Sequence, residues 1–233
     1  MLLSIGTCLL CGHFAELSLG VCQRCDKLIK SELFSTYAHN YCPICGDPML
    51  HIDSVCSHHG RKDPVFIQKA GFYSSFFKEL IIRYKFSPCR ALSAYIASLI
   101  VPMVRKQALS SQKIWIVFVP CSIKGYRNRG WDQMELIADQ LAKAPDTGKS
   151  SLLERIDGKE QKLKSKERRI IEAGGAFALK RYQIPLAPGG GEPPESIILI
   201  DDVHTTGATM NECIKLLQLH CTCRVSGICL AMD

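Results

Sequence analysis

Seven of the thirteen cysteines fall within the first 56 residues, at a spacing that repeats. Cys8-Leu-Leu-Cys11 is followed, after ten residues, by Cys22-Gln-Arg-Cys25; Cys42-Pro-Ile-Cys45 is followed at the same interval by Cys56-Ser-His-His59. Every position of the second set is one of the first displaced by 34 residues, so His59 stands where a fourth cysteine would. A C-x-x-C turn aims two thiolates at one point, and the glycine after it, Gly12 or Gly46, lets the chain reverse without a Cβ clash. Zn²⁺ takes four nitrogen or sulfur ligands in a tetrahedron, so two such turns close its shell and leave no position for a substrate. The spacing predicts one or two structural zinc ions, held by Cys8, Cys11, Cys22 and Cys25 and by Cys42, Cys45, Cys56 and His59. His58, and less directly His51, are rivals for the last place. A redox C-x-x-C is the competing use of such a turn, but it belongs to a single motif at a helix start rather than to a tandem array.

A second stretch carries different chemistry. Ile197-Ile-Leu-Ile-Asp201-Asp202-Val-His-Thr205-Thr206-Gly207-Ala208-Thr209 runs from four apolar residues into two adjacent carboxylates, then into hydroxyls and a glycine where a helical pattern begins. Backbone N–H groups at a helix N-terminus bind phosphate, and glycine permits close approach. Thr205, Thr206, Gly207, Ala208 and Thr209 are therefore candidate phosphate ligands. Asp201 and Asp202 are the candidate catalytic pair, placed to accept hydrogen bonds from sugar hydroxyls or to help hold a hydrated Mg²⁺. A capped helix without a ligand needs one Thr or Asp, not this whole series.

A third stretch, Val117-Phe-Val-Pro120-Cys-Ser122-Ile-Lys124-Gly-Tyr-Arg127-Asn-Arg129-Gly130-Trp131-Asp132-Gln133, follows an apolar run with a basic loop. Ser122, Lys124, Arg127 and Arg129 suit a pyrophosphate or a nucleic-acid backbone, although a solvated basic loop is the plainer reading. Tyr126 and Trp131 lie among these charges; either can stack on a base, and Trp131, at a helix start, equally suits packing. Lys159, Lys162, Lys164, Lys166, Arg168 and Arg169 make a fourth, basic segment. It is read as a loop closing over substrate, a surface for nucleic-acid phosphates, or a solvated charged loop.

The elements that must position these residues follow from periodicity. Ile114 to Val119 and Ser196 to Ile200 are continuous apolar runs, as expected of strands buried on both faces of a parallel sheet. Val65 to Tyr73, Ala176 to Tyr182 and Val225 to Ala231 are further strands. Helices are predicted over Phe76 to Phe86, over Ala91 to Arg105 with a bend near Pro102, through Met134, Ile137, Ala138 and Leu141, and from about Gly207 to Leu219. Residues 145–175 are polar and charge-rich and read as mobile, and Pro185 to Glu195 as a loop. Alternating strands and helices predict an α/β domain with a mainly parallel sheet over 63–233, after a zinc-binding module over 1–62. Ligands in such sheets bind at the carboxyl ends of strands, which directs attention to Asp201 and to Pro120 onward.

The Ile197–Thr209 stretch resembles the 5-phosphoribosyl 1-pyrophosphate (PRPP) motif of type I phosphoribosyltransferases. The Val117–Gln133 stretch resembles the segment of the ComF family that runs from a "VPVPL" strand end to "RGFNQ", with Phe118, Trp131 and Asp132 standing for the family's first Pro, its Phe and its Asn. Gln161, Arg169 and Phe177 keep the spacing of a further family segment, while Lys164 and Glu172 depart from it. With the N-terminal double knuckle, the resemblance spans nearly the whole chain. It implies a type I phosphoribosyltransferase-like fold, acids on ribose hydroxyls, the Thr/Gly loop on the 5′-phosphate, PRPP carried with Mg²⁺, and a part in bacterial DNA uptake for natural transformation or in DNA use. Three readings stay open: a binding module for single-stranded DNA that meets competence or DNA-import proteins, an active phosphoribosyltransferase with an unidentified acceptor, and a PRPP-sensing regulator.

Composition sets the outer bounds. A net charge of +7 suits a polyanionic partner or simply solubility, and 47% hydrophobic with 22% charged residues is ordinary globular composition, for which disorder is not the default reading. No secretory leader is evident, and the longest mostly apolar stretch, Ala94 to Val104, is too short to span a bilayer. A cytoplasmic protein is expected, in which thirteen cysteines serve as metal ligands or small buried hydrophobes rather than disulfides.

Overall fold

A computed structural model describes residues 4–33, 67–87, 89–108, 113–156, 169–171, 175–180 and 193–233. Cys42, Cys45, Cys56 and His59, the rivals His51 and His58, the expected domain boundary near residue 62, the basic segment from Lys159 to Arg168 and most of the expected Pro185–Glu195 loop lie outside the described residues.

The N-terminal part is a small antiparallel sheet and one helix: β1 (Ser4–Thr7), β2 (Phe14–Ser18), β3 (Val21–Cys22) and α1 (Gln23–Ser31). Then come β4 (Ile67–Phe72), α2 (Ser75–Phe86), α3 (Leu92–Ala108), β5 (Ile114–Phe118), α4 (Ile123–Arg129), α5 (Gln133–Leu141) and β6 (Thr147–Ser150). β7 (Leu153–Arg155), β8 (Arg169–Ile171), β9 (Phe177–Lys180), β10 (Ser196–His204), α6 (Ala208–His220) and β11 (Arg224–Met232) complete the fold. Five strands form one parallel sheet in the order β4-β11-β10-β5-β6, and β7-β9-β8 form a separate antiparallel one. The α/β class with a parallel sheet is thus observed.

Alternation along each central strand divides the core into two layers. Ile114, Ile116 and Phe118 of β5, Ile198 and Ile200 of β10, and Ile228 and Leu230 of β11 face α2, α3 and α5. Trp115, Val117, Ile197, Leu199, Val225 and Cys229 face α6 and the small sheet. α2 buries Phe77, Leu80, Ile81 and Tyr84, and α5 buries Met134, Ile137, Ala138 and Leu141, each the i, i+3, i+4, i+7 stripe its sequence predicts.

The chain leaves β5 outward to β6, but leaves β10 in the opposite direction to β11. That reversal opens a crevice at the carboxyl ends of β5 and β10, the place where such sheets take ligands. Phe118 pairs with Ile200, and the Val119 N–H donates to the Ile200 carbonyl at 3.0 Å, so the two strand ends open side by side.

Three expectations are corrected. Residues 123–129 are helical rather than an open loop, because Ser122 caps them and Gly130, in the left-handed region, ends them. Residues 145–175 include β6, β7 and β8; short strands with few apolar residues left little periodicity to read. β10 runs on to His204, so both acids lie within the strand and not beyond it.

Candidate functional site

The sulfur atoms of Cys8, Cys11, Cys22 and Cys25 all lie within 4.8 Å of one another. Cys11 Sγ and Cys22 Sγ are 3.7 Å apart, far beyond a disulfide and close to the roughly 3.8 Å edge of a tetrahedron with Zn–S bonds of about 2.3 Å. Gly12 holds a φ of +75°, and its N–H donates to the Cys8 carbonyl, which closes the first turn. The second turn is β3 running into α1, with Cys22 as the helix N-cap. The Cys22 N–H donates to Cys8 Sγ at 3.4 Å. Burial pushes the Cys8 thiol up, but backbone N–H groups of Cys11, Cys22 and Leu10 outweigh it and bring Cys8 down to about 6. Cys25 moves the opposite way, raised by burial and by its sulfur neighbours. Four converging thiols cannot all ionise without a cation among them. The donor set and its spacing fit a four-coordinate zinc.

This module is docked on the α/β domain. Leu10, Leu17, Val21 and Ile29 share a core with Phe77 and Leu80 of α2. The Glu32 carboxylate accepts the Phe76 and Phe77 N–H groups at 3.1 and 2.9 Å, capping α2 from the module, and Tyr95 donates its hydroxyl to Asp26 Oδ1 at 3.0 Å.

At the carboxyl end of β10, Thr205 and Thr206 are exposed and Gly207 is the N-cap of α6 at φ +75°. A Cβ on Gly207 would lie 2.7 Å from the His204 ring, so conformation and space both require glycine. Burial and the Lys69 charge hold His204 below its ordinary value, leaving a neutral imidazole under the turn. Ala208 donates its N–H to Thr206 Oγ1 at 3.4 Å, and among the described residues no backbone group engages the amides of Thr205, Thr206 or Gly207. Thr209 is half-buried in the first turn of α6.

The β5 side of the crevice is less uniform than its sequence suggests. Ser122 Oγ accepts the Gly125 N–H at 3.0 Å and serves as a cap. Lys124, Tyr126 and Arg127 are exposed on α4. Arg129 folds back over Gly125 toward Cys121. Burial and Asp132 push the Cys121 thiol up to about 11, with Arg129 opposing, so Cys121 is no nucleophile at neutral pH. Trp131 is 6% exposed, packed edge-on against Tyr84 with ring centroids 5.1 Å apart; it is a core residue and not a platform for bases.

Residues outside the predicted set hold the acids. Lys85 Nζ lies 2.7 Å from Asp202 Oδ2, with side chains 21% and 15% exposed, and Gln133 Nε2 donates to the same oxygen at 3.2 Å. Asp202 Oδ1 takes the Val203 N–H, and Asp201 Oδ1 the Asp202 N–H. Burial, then the charge of Asp202, push Asp201 up to about 8. Asp132 is the organiser of the facing loop: one carboxylate accepts the N–H groups of Cys121, Met134 and Glu135. A lysine one residue past a buried tyrosine gives no local sign of this role. An acidic residue at a helix start, by contrast, is a capping signal that could have been read.

No family model matches the chain. Curated relatives do. Competence protein ComFC of Streptococcus pneumoniae is 28% identical over 222 residues, covering 91% of this chain and 93% of the relative. Competence protein F of Haemophilus influenzae is 26% identical over 208 residues, covering 85% and 84%. DNA utilization protein YhgH of Salmonella typhimurium is 26% identical over 242 residues, covering 96% and 99%. These relatives support placing the chain with the ComF family. Coverage this near to end-to-end takes in both the cysteine module and the β10–α6 turn. Among its described residues, no helix is long and apolar enough to cross a membrane.

Proposed function

We propose that this protein acts in DNA uptake or DNA utilisation, binding PRPP or a related phosphoribosyl ligand at the β10–α6 turn and single-stranded DNA on the basic face of α4. The observation that carries the first part is the juxtaposition at the sheet's switch point: the amides of residues 205–207, which no backbone group engages among the described residues, and exposed threonines follow closely on two carboxylates. Amides at a helix N-terminus suit a phosphate, and carboxyl groups suit the hydroxyls of the attached sugar. Lys124 and Arg127, one helical turn apart and exposed on the adjoining strand end, suit phosphodiesters, with Tyr126 beside them as a stacking surface. The names of the relatives supply the DNA context.

A ligand bound only by the folded state raises the melting temperature. PRPP should raise that of the wild type, and Thr205→Ala with Thr206→Ala should remove most of the rise while leaving the unliganded melting temperature in place, because both side chains are exposed. An equal rise in wild type and variant would exclude this turn. For DNA, Lys124→Ala with Arg127→Ala should weaken oligonucleotide binding and flatten its salt dependence by about 0.7 in log–log slope for each phosphate left without its cation. Unchanged affinity and slope would exclude α4.

Catalysis is a second reading, favoured by Lys124 and Arg127 on the helix that follows the strand paired with β10, where cationic groups would stabilise a departing pyrophosphate. Pyrophosphate release on adding candidate acceptors separates a transferase from a binding protein or a PRPP sensor.

A further inference from the structure

We propose that Lys85 is the fixed cation of the acidic pair: it holds and aims the Asp202 carboxylate, so that a pentose phosphate binds at this turn without a divalent ion ligated directly by the carboxylates. The inference rests on the reading of the β10–α6 turn as a sugar-phosphate site and goes beyond it by assigning a positioning residue and excluding direct ligation of a metal by the acids.

The geometry is specific. The Lys85 ammonium and the Gln133 amide converge on one oxygen, Asp202 Oδ2, at 2.7 and 3.2 Å, while Oδ1 accepts the Val203 N–H. Three of the roughly four lone-pair positions of that carboxylate are occupied by the chain itself. Mg²⁺ demands near-octahedral oxygen ligation at about 2.0–2.1 Å, and here an ammonium already stands against the oxygen it would need. Lys85 is not a free surface lysine that happens to reach in. Its neighbour Tyr84 is anchored by a 2.6 Å hydrogen bond from its hydroxyl to the Gln133 carbonyl and by its ring against Trp131, so the last turn of α2 is fixed on the segment that supplies Gln133. Mutual shielding keeps the pair out of bulk water, where exposed ion pairs lose most of their value.

The electrostatics agree. Burial and its neighbour push Asp201 up to about 8, and the Lys85 ammonium lies against the other carboxyl group at 2.7 Å. One carboxyl group able to donate beside one that accepts from Lys85 and Gln133 matches two vicinal hydroxyls better than it matches a cation. Gln133 Oε1, buried and without a partner among the described residues, is a further acceptor on the same side chain. Thus a Mg²⁺ ligated directly by these carboxylates does not fit.

The test is calorimetric titration of ribose 5-phosphate into the full zinc-loaded chain, in buffer depleted of free divalent ions without a chelator, and again with millimolar Mg²⁺. The wild type should bind equally in both, within about twofold. Lys85→Met should bind at least about tenfold more weakly in the depleted buffer, a loss of about 1.4 kcal/mol, with Mg²⁺ restoring part of it. Lys85→Arg should remain independent of Mg²⁺, which a merely structural role would not require. Wild-type binding that needs Mg²⁺, or Lys85→Met binding like wild type in both buffers, would overturn the inference while leaving the sugar-phosphate site intact. Wild type that binds ribose 5-phosphate in neither buffer would overturn both.

Discussion

The cysteine cluster and the acidic pair are both places where groups of like charge converge, and the chain treats them in opposite ways. At the cluster, Cys8 to Cys25 bring four sulfurs within 4.8 Å and no cationic side chain joins them among the described residues. At the acidic pair, two adjacent carboxyl groups meet a lysine from α2 and an amide from α5. Where the counter-charge is withheld, the thiols are arranged to take an ion; where the chain supplies it, the acids keep few lone pairs for one. The cluster is also local, four residues of one short segment, whereas the acidic pair is assembled from three elements far apart in sequence and is held only as long as those elements pack.

The comparison breaks most visibly at the metal. Cys22→Ser should lose one zinc per chain by elemental analysis and expose the amides of residues 4–33 to hydrogen exchange, because structural zinc contributes about 10–16 kcal/mol of apparent binding energy to the fold that holds it. Unchanged metal content would mean that the four thiols are packing residues.

The acidic pair should respond to pH instead. Asp201 is pushed from 3.8 up to about 8, so over that range the folded chain keeps a proton that the unfolded chain has lost. Stability from this group is complete below about pH 4 and is lost as pH rises toward 8. Asp201→Asn should therefore be more stable than wild type near pH 9, and the advantage should shrink near pH 5. An advantage independent of pH would place the origin elsewhere.

Smaller effects sharpen the supports of each region. Asp132→Ala removes a helix cap and strands the Cys121 amide, which should cost about 2 kcal/mol in denaturant unfolding, with Asp132→Asn recovering much of it. Glu32→Gln, which weakens the cap that the module places on α2, should cost about 1 kcal/mol.

The same contrast explains what could be read without coordinates. The cluster was legible because its ligands sit on two tight turns whose spacing states the geometry. The strands at Ile114 and Ser196 were legible because burial on both faces leaves an uninterrupted apolar run. The Asp201–Thr209 stretch was legible as a type of site, since strand, acids, glycine and helix start follow in order. Lys85 was not, because a lysine at the end of an amphipathic helix has the pattern of a solvated residue until the sheet places Asp202 against it. Neither was α4: seven residues with a glycine at the third position and three basic side chains show no apolar stripe, and its caps are what make it helical. Trp131 had two readings that only its packing against Tyr84 could separate.

A structure of the chain with ribose 5-phosphate tests the central claim most directly. The account predicts the phosphate within about 2.7–3.2 Å of the amides at residues 205–208 and the sugar hydroxyls on Asp201 and Asp202. A turn closed over by its own side chains, or a ligand seated elsewhere on the sheet, would contradict it.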